Sequence, residues 1–236
     1  RNLKNKCVIV IITSDKIYKN LEIERGYNEE DLIGGVDPYS ASKGCAELII
    51  KSYYESFLKK KTNIKLGISR AGNVIGGGDW SKNRIIPDCI RAWSKRDVVR
   101  VRNPKSTRPW QHVLEVLYGY LKLASQLKKN KNINGHAFNF GPKKNQDKTV
   151  YSLLLESKKH WINAKWHLKK DKSFTESSLL KLNSTKANKK LKWFNSLSFF
   201  ETVNMTILWY LRYFKSDNMY EFSINQIKRY EKKIKN

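Results

Sequence analysis

Short apolar runs alternate along this chain with longer segments of helical period, and few folds accept that pattern. Val8-Ile9-Val10-Ile11-Ile12 has the length of a buried strand, so residues 7–13 are read as one. An irregular stretch over 14–37, rich in Gly, Asp, Asn and Glu, follows it. Pro38 sits where a first helical turn accepts proline, and Ala46, Leu48, Ile49, Tyr53 and Phe57 recur at roughly helical spacing. That pattern predicts a helix over about 39–60, with the next strand at 64–70. Gly72, Gly76, Gly77 and Gly78 punctuate a loop, after which a helix is expected at 84–95 and a short strand at 98–101. A helix at 112–128 and a strand at 136–140, ended by Gly141-Pro142, complete the regular part. Beyond it the pattern predicts a helix at 149–162, a short strand near 179–182, and amphipathic helices near 198–214 and 223–235. The alternation defines an α/β chain with a parallel sheet.

The 236 residues suffice for a sizeable core, and 40% hydrophobic residues exclude wholesale disorder. No apolar run approaches the roughly 18 residues of a membrane span, so no membrane partner is expected. Cys7, Cys45 and Cys89 are odd in number, far apart and without a CxxC pair. They argue against a disulfide framework or a metal site and fit a reducing, cytoplasmic location. His112, His136, His160 and His167 show no ligand spacing and are read as structural. The net charge of +26 invites a nucleic-acid reading. However, lysine outnumbers arginine 36 to 11, and most of the excess falls after residue 118. A generally basic surface is therefore expected, with no specific nucleic-acid partner. Its field favours small anions such as a diphosphate.

Tyr39 and Lys43 lie four residues apart near a predicted helix start, which places them on one face. An ammonium beside a phenol favours the phenolate and equips the pair for base chemistry near neutrality. Upstream, the first strand ends in Thr13-Ser14-Asp15-Lys16, at the carboxyl end where α/β sheets place ligands. Ser14 there can hydrogen-bond a hydroxyl, Asp15 can act as an acid, and Lys16 can serve as a base or charge partner. A turn or helix cap explains Ser14-Asp15 equally well.

Further motifs surround this constellation. Tyr18 and Asn20 follow the strand end. Gly34 to Glu47 reads GGVDPYSASKGCAE, Arg70 to Trp80 reads RAGNVIGGGDW, and Arg102-Asn103-Pro104 precedes Arg108-Pro109-Trp110-Gln111-His112-Val113. On these residues the chain resembles the extended short-chain dehydrogenase/reductase family of nucleotide-sugar enzymes, and within it the 4,6-dehydratases that act on CDP-glucose. The resemblance implies the C-terminal part of a Rossmann-type doubly wound parallel sheet, over residues 1–140, with a substrate-side insertion at about 73–110. A smaller mixed α/β substrate-binding region would occupy 141–236.

The resemblance also implies a reaction. Bound NAD takes hydride from C4 of the hexose, water is lost across C5 and C6, and hydride returns to C6. Tyr39 would be the base, Lys43 its partner, Asp15 the acid for the C6 hydroxyl, and Lys16 an aid to C5 deprotonation. Ser14, Tyr39, Lys43 and Arg70 would face the cofactor. Asn73, Arg84 and Arg108 would hold the diphosphate and sugar, and Trp80 and Trp110 are either base-pocket walls or core. A homodimer through helices including the one bearing Tyr39 is expected. The product would feed deoxysugar and polysaccharide biosynthesis.

The chain departs from the family pattern in places. It contains no GxGxxG or GxxGxxG turn for a dinucleotide pyrophosphate, and it begins at Arg1 almost directly before a strand. The expectation is an N-terminal truncation that leaves that strand at a bare sheet edge. Asn183 stands where Asp is expected, and Thr175 and Ser178 flank Glu176 in place of histidines. Three alternatives stay open: another epimerase, dehydratase or reductase of this family, a basic binding protein, and an inactive fragment.

Overall fold

A computed structural model of the chain describes residues 4–143, 147–168 and 179–235. Residues 175–178, where two of the expected departures fall, lie outside the described set. The chain divides into two compact units. One comprises Arg1–Gly72, Val116–Lys144 and Leu180–Asn195, the other Asn73–Glu115, Asn145–Leu179 and Ser196–Asn236.

The first unit is built on a parallel sheet. β1 (Cys7–Ile12) pairs with β2 (Ile64–Ala71), which pairs on its other side with β7 (Ala137–Phe140). The register Ile9↔Leu66 and Ile11↔Ile68 stacks branched apolar side chains on one face. Helix α1 (Pro38–Tyr53), extended by a wider final turn to Leu58, covers that face through Ile50, Tyr54 and Leu58. The opposite face carries Val10, Phe138 and Phe140, packed with Leu123 and Leu127 of α3 (Val113–Lys129). Gly67 lets α3 approach, because a Cβ there would stand 2.9 Å from Leu127 Cδ1. Helix α5 (Thr185–Leu191) closes this core with Ala187 and Leu191. β1 has no partner on its outer side among the described residues, and Val8 and Ile12 stand exposed.

The second unit is mixed α/β. Its strands are short: β3 (Val74–Ile75) pairs in parallel with β6 (Gln111–His112), β4 (Val99–Val101) in parallel with β9 (Trp166–Leu168), and β5 (Thr107–Arg108) antiparallel with β8 (Lys148–Thr149). Helices α2 (Ile85–Ser94), α4 (Val150–His160) and α6 (Phe199–Tyr213) bury a core that includes Ile90, Trp93, Leu153, Leu154, Val203 and Ile207. Ser198 and Glu201 form a reciprocal cap on α6. Helix α7 (Met219–Lys235) anchors through Tyr230, whose hydroxyl donates to the buried Glu115 carboxylate. Glu115 also accepts the Ser196 and Leu197 amides.

The long elements fall where the sequence places them. The two-residue strands, β9 and α5 were not anticipated, and the strand expected near 179–182 is a single bridge from Leu182 to Tyr27. Among the described residues no helix is long and apolar enough to cross a membrane.

Candidate active site

The carboxyl end of β1 runs into a tight turn. Ser14 caps it: its Oγ accepts from the Lys16 amide at 3.2 Å and donates to Asp15 Oδ1 at 3.1 Å. Residues Asp15–Ile17 form one 3-10 turn. Asp15 is buried, and the β2 end passes directly over it. A Cβ on Gly72 would stand 2.1 Å from Asp15 Oδ2, so any larger residue would have to displace that carboxylate. The cap geometry and the acid position therefore coexist in the same four residues.

α1 starts at a well-made cap. Asp37 accepts from the Ser40 amide at 3.0 Å and the Ser40 hydroxyl at 2.5 Å, and Pro38 follows at the first helical position. The Ser40 hydroxyl holds the Asp37 carboxyl below its usual range, with Lys16 adding to the effect. Tyr39 is 54% exposed. Lys43 Nζ lies 5.8 Å from the Tyr39 ring centroid, so the ammonium and the phenol are neighbours on one helix face. α1 packs against the Asp15–Ile17 turn. Gly44 brings the same helix close to Ile33, since a Cβ there would be 3.1 Å from Ile33 Cγ2.

Beneath these groups lies a polar network that the sequence did not reveal. Arg70, on β2, is 4% exposed and Glu47, on α1, is 2% exposed. Arg70 Nε reaches both Glu47 oxygens, at 2.9 and 3.0 Å, and Nη2 reaches Oε2 at 2.5 Å. Nη1 donates to the Tyr18 hydroxyl at 2.8 Å and to the Glu29 carbonyl at 3.0 Å. Tyr18 donates onward to Asn139 Oδ1 on β7, and Thr13 Oγ1 donates to Glu47 Oε1 at 2.5 Å. Burial opposes the charge on Arg70, but Glu47 and Tyr18 together outweigh it and hold the guanidinium above its ordinary value. Burial likewise pushes the Tyr18 phenol up, against the pull of Arg70. Arg70 is thus directed inward, with most of its donors engaged by protein groups.

Asn73, Arg84 and Arg108 belong to the second unit. Asn73 adopts a left-handed backbone, φ 31°, and its carbonyl accepts from the Gln111 amide. Its side-chain Oδ1 is buried with no hydrogen-bond partner. Arg108, on β5, is buried, and Nη1 donates to the Thr107 carbonyl. Arg84 is exposed at the N-terminus of α2 and faces Asp79 at 3.6 Å. Trp110 is core, its indole donating to the Lys148 carbonyl. Trp80 packs edge-on against Tyr210 and Phe214, and remains partly exposed. His112 is buried, accepts the Leu114 amide at Nδ1 and leaves Nε2 without a partner. Among the described residues no group of His, Cys, Asp and Glu is placed to hold a metal ion.

A parallel α/β sheet with Ser14 and Asp15 at a strand end and a Tyr-Lys pair on the following helix is a Rossmann-type α/β arrangement. Solved structures share it. A dTDP-glucose 4,6-dehydratase from Bacillus anthracis in complex with NAD matches with a TM-score of 0.73 at 19% identity, over 86% of this chain and 61% of that one. A UDP-glucuronic acid 4-epimerase from Bacillus cereus, in complex with UDP-glucuronic acid and NAD, matches with a TM-score of 0.74 at 17% identity, over 87% and 62%. The family model for GDP-mannose 4,6 dehydratase matches residues 1–206, and the chain belongs to that family. A CDP-glucose 4,6-dehydratase from Salmonella typhimurium is 39% identical over 235 residues, 98% of this chain and 66% of the relative. The chain thus spans slightly less than two thirds of the length of these relatives.

Proposed function

We propose that this chain carries the catalytic residues of an NAD-dependent nucleotide-sugar 4,6-dehydratase that converts CDP-glucose to CDP-4-keto-6-deoxyglucose. The observation that carries the reading is the Tyr39–Lys43 pair on a helix packed against the turn bearing Ser14 and Asp15, in a chain 39% identical to a CDP-glucose 4,6-dehydratase. Ser14, Tyr39 and Lys43 fit the nicotinamide end of a dinucleotide: a hydroxyl at the carboxyl end of a parallel strand, with a phenol and an ammonium on the helix packed against its turn. When bound, NAD supplies a reversible acceptor for hydride.

The residues do the rest. The Tyr39 phenolate oxygen takes the proton of the C4 hydroxyl, and the Lys43 ammonium beside its ring favours that phenolate. Asp15 donates a proton to the departing C6 hydroxyl, which leaves as water. Lys16, next in the chain, assists removal of the C5 proton. Arg108 and Arg84 pair with the diphosphate, a task suited to forked guanidinium donors, and the unpartnered Asn73 Oδ1 accepts from the substrate. Water is lost and no net oxidation occurs. We further assign a homodimer joined through the outer face of α1, where Leu48, Ile49, Tyr53 and Phe57 stand exposed. The three free cysteines accord with a cytoplasmic setting.

The test is incubation of the full-length gene product with CDP-glucose and NAD, read by the alkaline absorbance of a 4-keto sugar. Product loss of roughly 100-fold or more on Tyr39→Phe supports the assignment. Turnover of a different nucleotide sugar in place of CDP-glucose would move the substrate, and a product retaining its C6 oxygen would replace dehydration with epimerisation or reduction.

A further inference from the structure

The Glu47–Arg70 pair is the common anchor of both elements that carry the chemistry. Glu47 lies one helical turn below Lys43 and two below Tyr39, so the azimuth of its side chain sets theirs. The buried residues of α1 are Ser40, Gly44 and Glu47, a stripe with no large apolar side chain among them. Ser40 is engaged by the Asp37 cap. Gly44 supplies closeness but no directional bond. Orientation of the Tyr39 end therefore falls to the Glu47 carboxylate, which is gripped in a bidentate fork whose planar geometry admits little rotation. The same carboxylate accepts from Thr13, directly before Ser14, and the same guanidinium binds Tyr18, directly after the Asp15–Ile17 turn.

We infer that Glu47 and Arg70 are positioning residues, which hold the Tyr39–Lys43 helix and the Ser14–Asp15 turn in one register without touching substrate or cofactor. A buried ion pair is weak evidence for stability as such. Here it joins two reacting elements, and small misplacement of such elements costs rate steeply. This gives Arg70 a role different from a direct cofactor contact, because the side chain is buried and four of its five N–H donors are engaged by Glu47, Tyr18 and the Glu29 carbonyl.

The inference rests on the dehydratase reading, and the experiment separates the two. In the full-length protein, Arg70→Lys and Glu47→Gln are compared with Thr13→Val, which removes one bond to Glu47 and leaves no buried charge unpaired. Kinetics are measured with CDP-glucose and NAD. Positioning predicts kcat lower by roughly 10- to 100-fold in the first two and less in the third, with both KM values within about 3-fold. The ascending limb of the kcat–pH profile should also move to higher pH as Lys43 loosens from Tyr39. A raised KM for NAD with unchanged kcat in Arg70→Lys would overturn the inference in favour of a direct cofactor contact, as would an unmoved kcat and pH profile. Tyr39→Phe is the control for the enzymatic reading. If it keeps full activity, that reading fails, and amide exchange over residues 42–48 decides the clamp alone. Faster exchange in Glu47→Gln upholds it, and unchanged exchange overturns it.

Discussion

Gly72 shows how one missing methyl group leaves room for the carboxyl proposed as the acid. Its Cα passes so close to Asp15 that a Cβ would overlap Oδ2. Gly72→Ala should push that carboxylate aside, lowering kcat by roughly 10-fold or more while KM stays within about 3-fold. Steady-state kinetics with CDP-glucose check this, and an unchanged kcat would detach Asp15 from the reaction. His112 gives a second residue-scale test. Burial lowers its pKa to about 4, against an ordinary 6.5. A histidine depressed in the fold contributes stability that is present above about 6.5 and is lost as pH falls towards 4. The loss amounts to roughly 3 kcal/mol over that window. Urea unfolding between pH 7 and 4 should therefore show a slope that flattens in His112→Gln. At the same scale, Arg70→Met would leave Glu47 buried and unpaired, a cost of about 3–5 kcal/mol, which is why Arg70→Lys is the useful kinetic variant. Tyr39, Lys43, Ser14 and Asp15 were legible in the sequence because their chemistry is local: a four-residue spacing and a strand end. Glu47 was not. A glutamate on a helix reads as solvated until its partner, 23 residues away, is known. The only hint was its place four residues after Lys43.

Elements with a long period were legible, and elements without one were not. β1, α1, β2, α3 and β7 each carry enough apolar residues to reveal their repeat. A two-residue strand such as β3 or β6 has no period, and tertiary pairing alone creates it. α5 has the sequence Thr-Lys-Ala-Asn-Lys-Lys-Leu, with only Ala187 and Leu191 buried, too sparse a stripe to mark a helix. The outer face of α1 presents the opposite case: an apolar pattern stronger than its burial requires. Leu48 and Ile49 are among the more exposed large apolar side chains of the chain, and contiguous exposed apolar surface marks an interface. If the proposed dimer joins through α1, the double variant Leu48→Lys, Ile49→Glu should shift the sedimenting species from dimer to monomer at micromolar concentration. A species unchanged in size would remove α1 from the interface.

At the scale of the whole molecule, the charge of +26 sets a basic field that concentrates small anions and weakens with salt. The proposed chemistry depends instead on groups held by close packing: glycine at 72, the bidentate pair at 47 and 70, and the cap at 37. In the proposed reaction one site oxidises C4, removes water and reduces C6 of the same hexose. The most direct test uses CDP-glucose carrying deuterium at C4, with the full-length protein and unlabelled NAD. Hydride transfer from C4 to C6 within one site predicts a 4-keto-6-deoxy product with that deuterium at C6. Deuterium retained at C4, or a product that keeps its C6 oxygen, would contradict it.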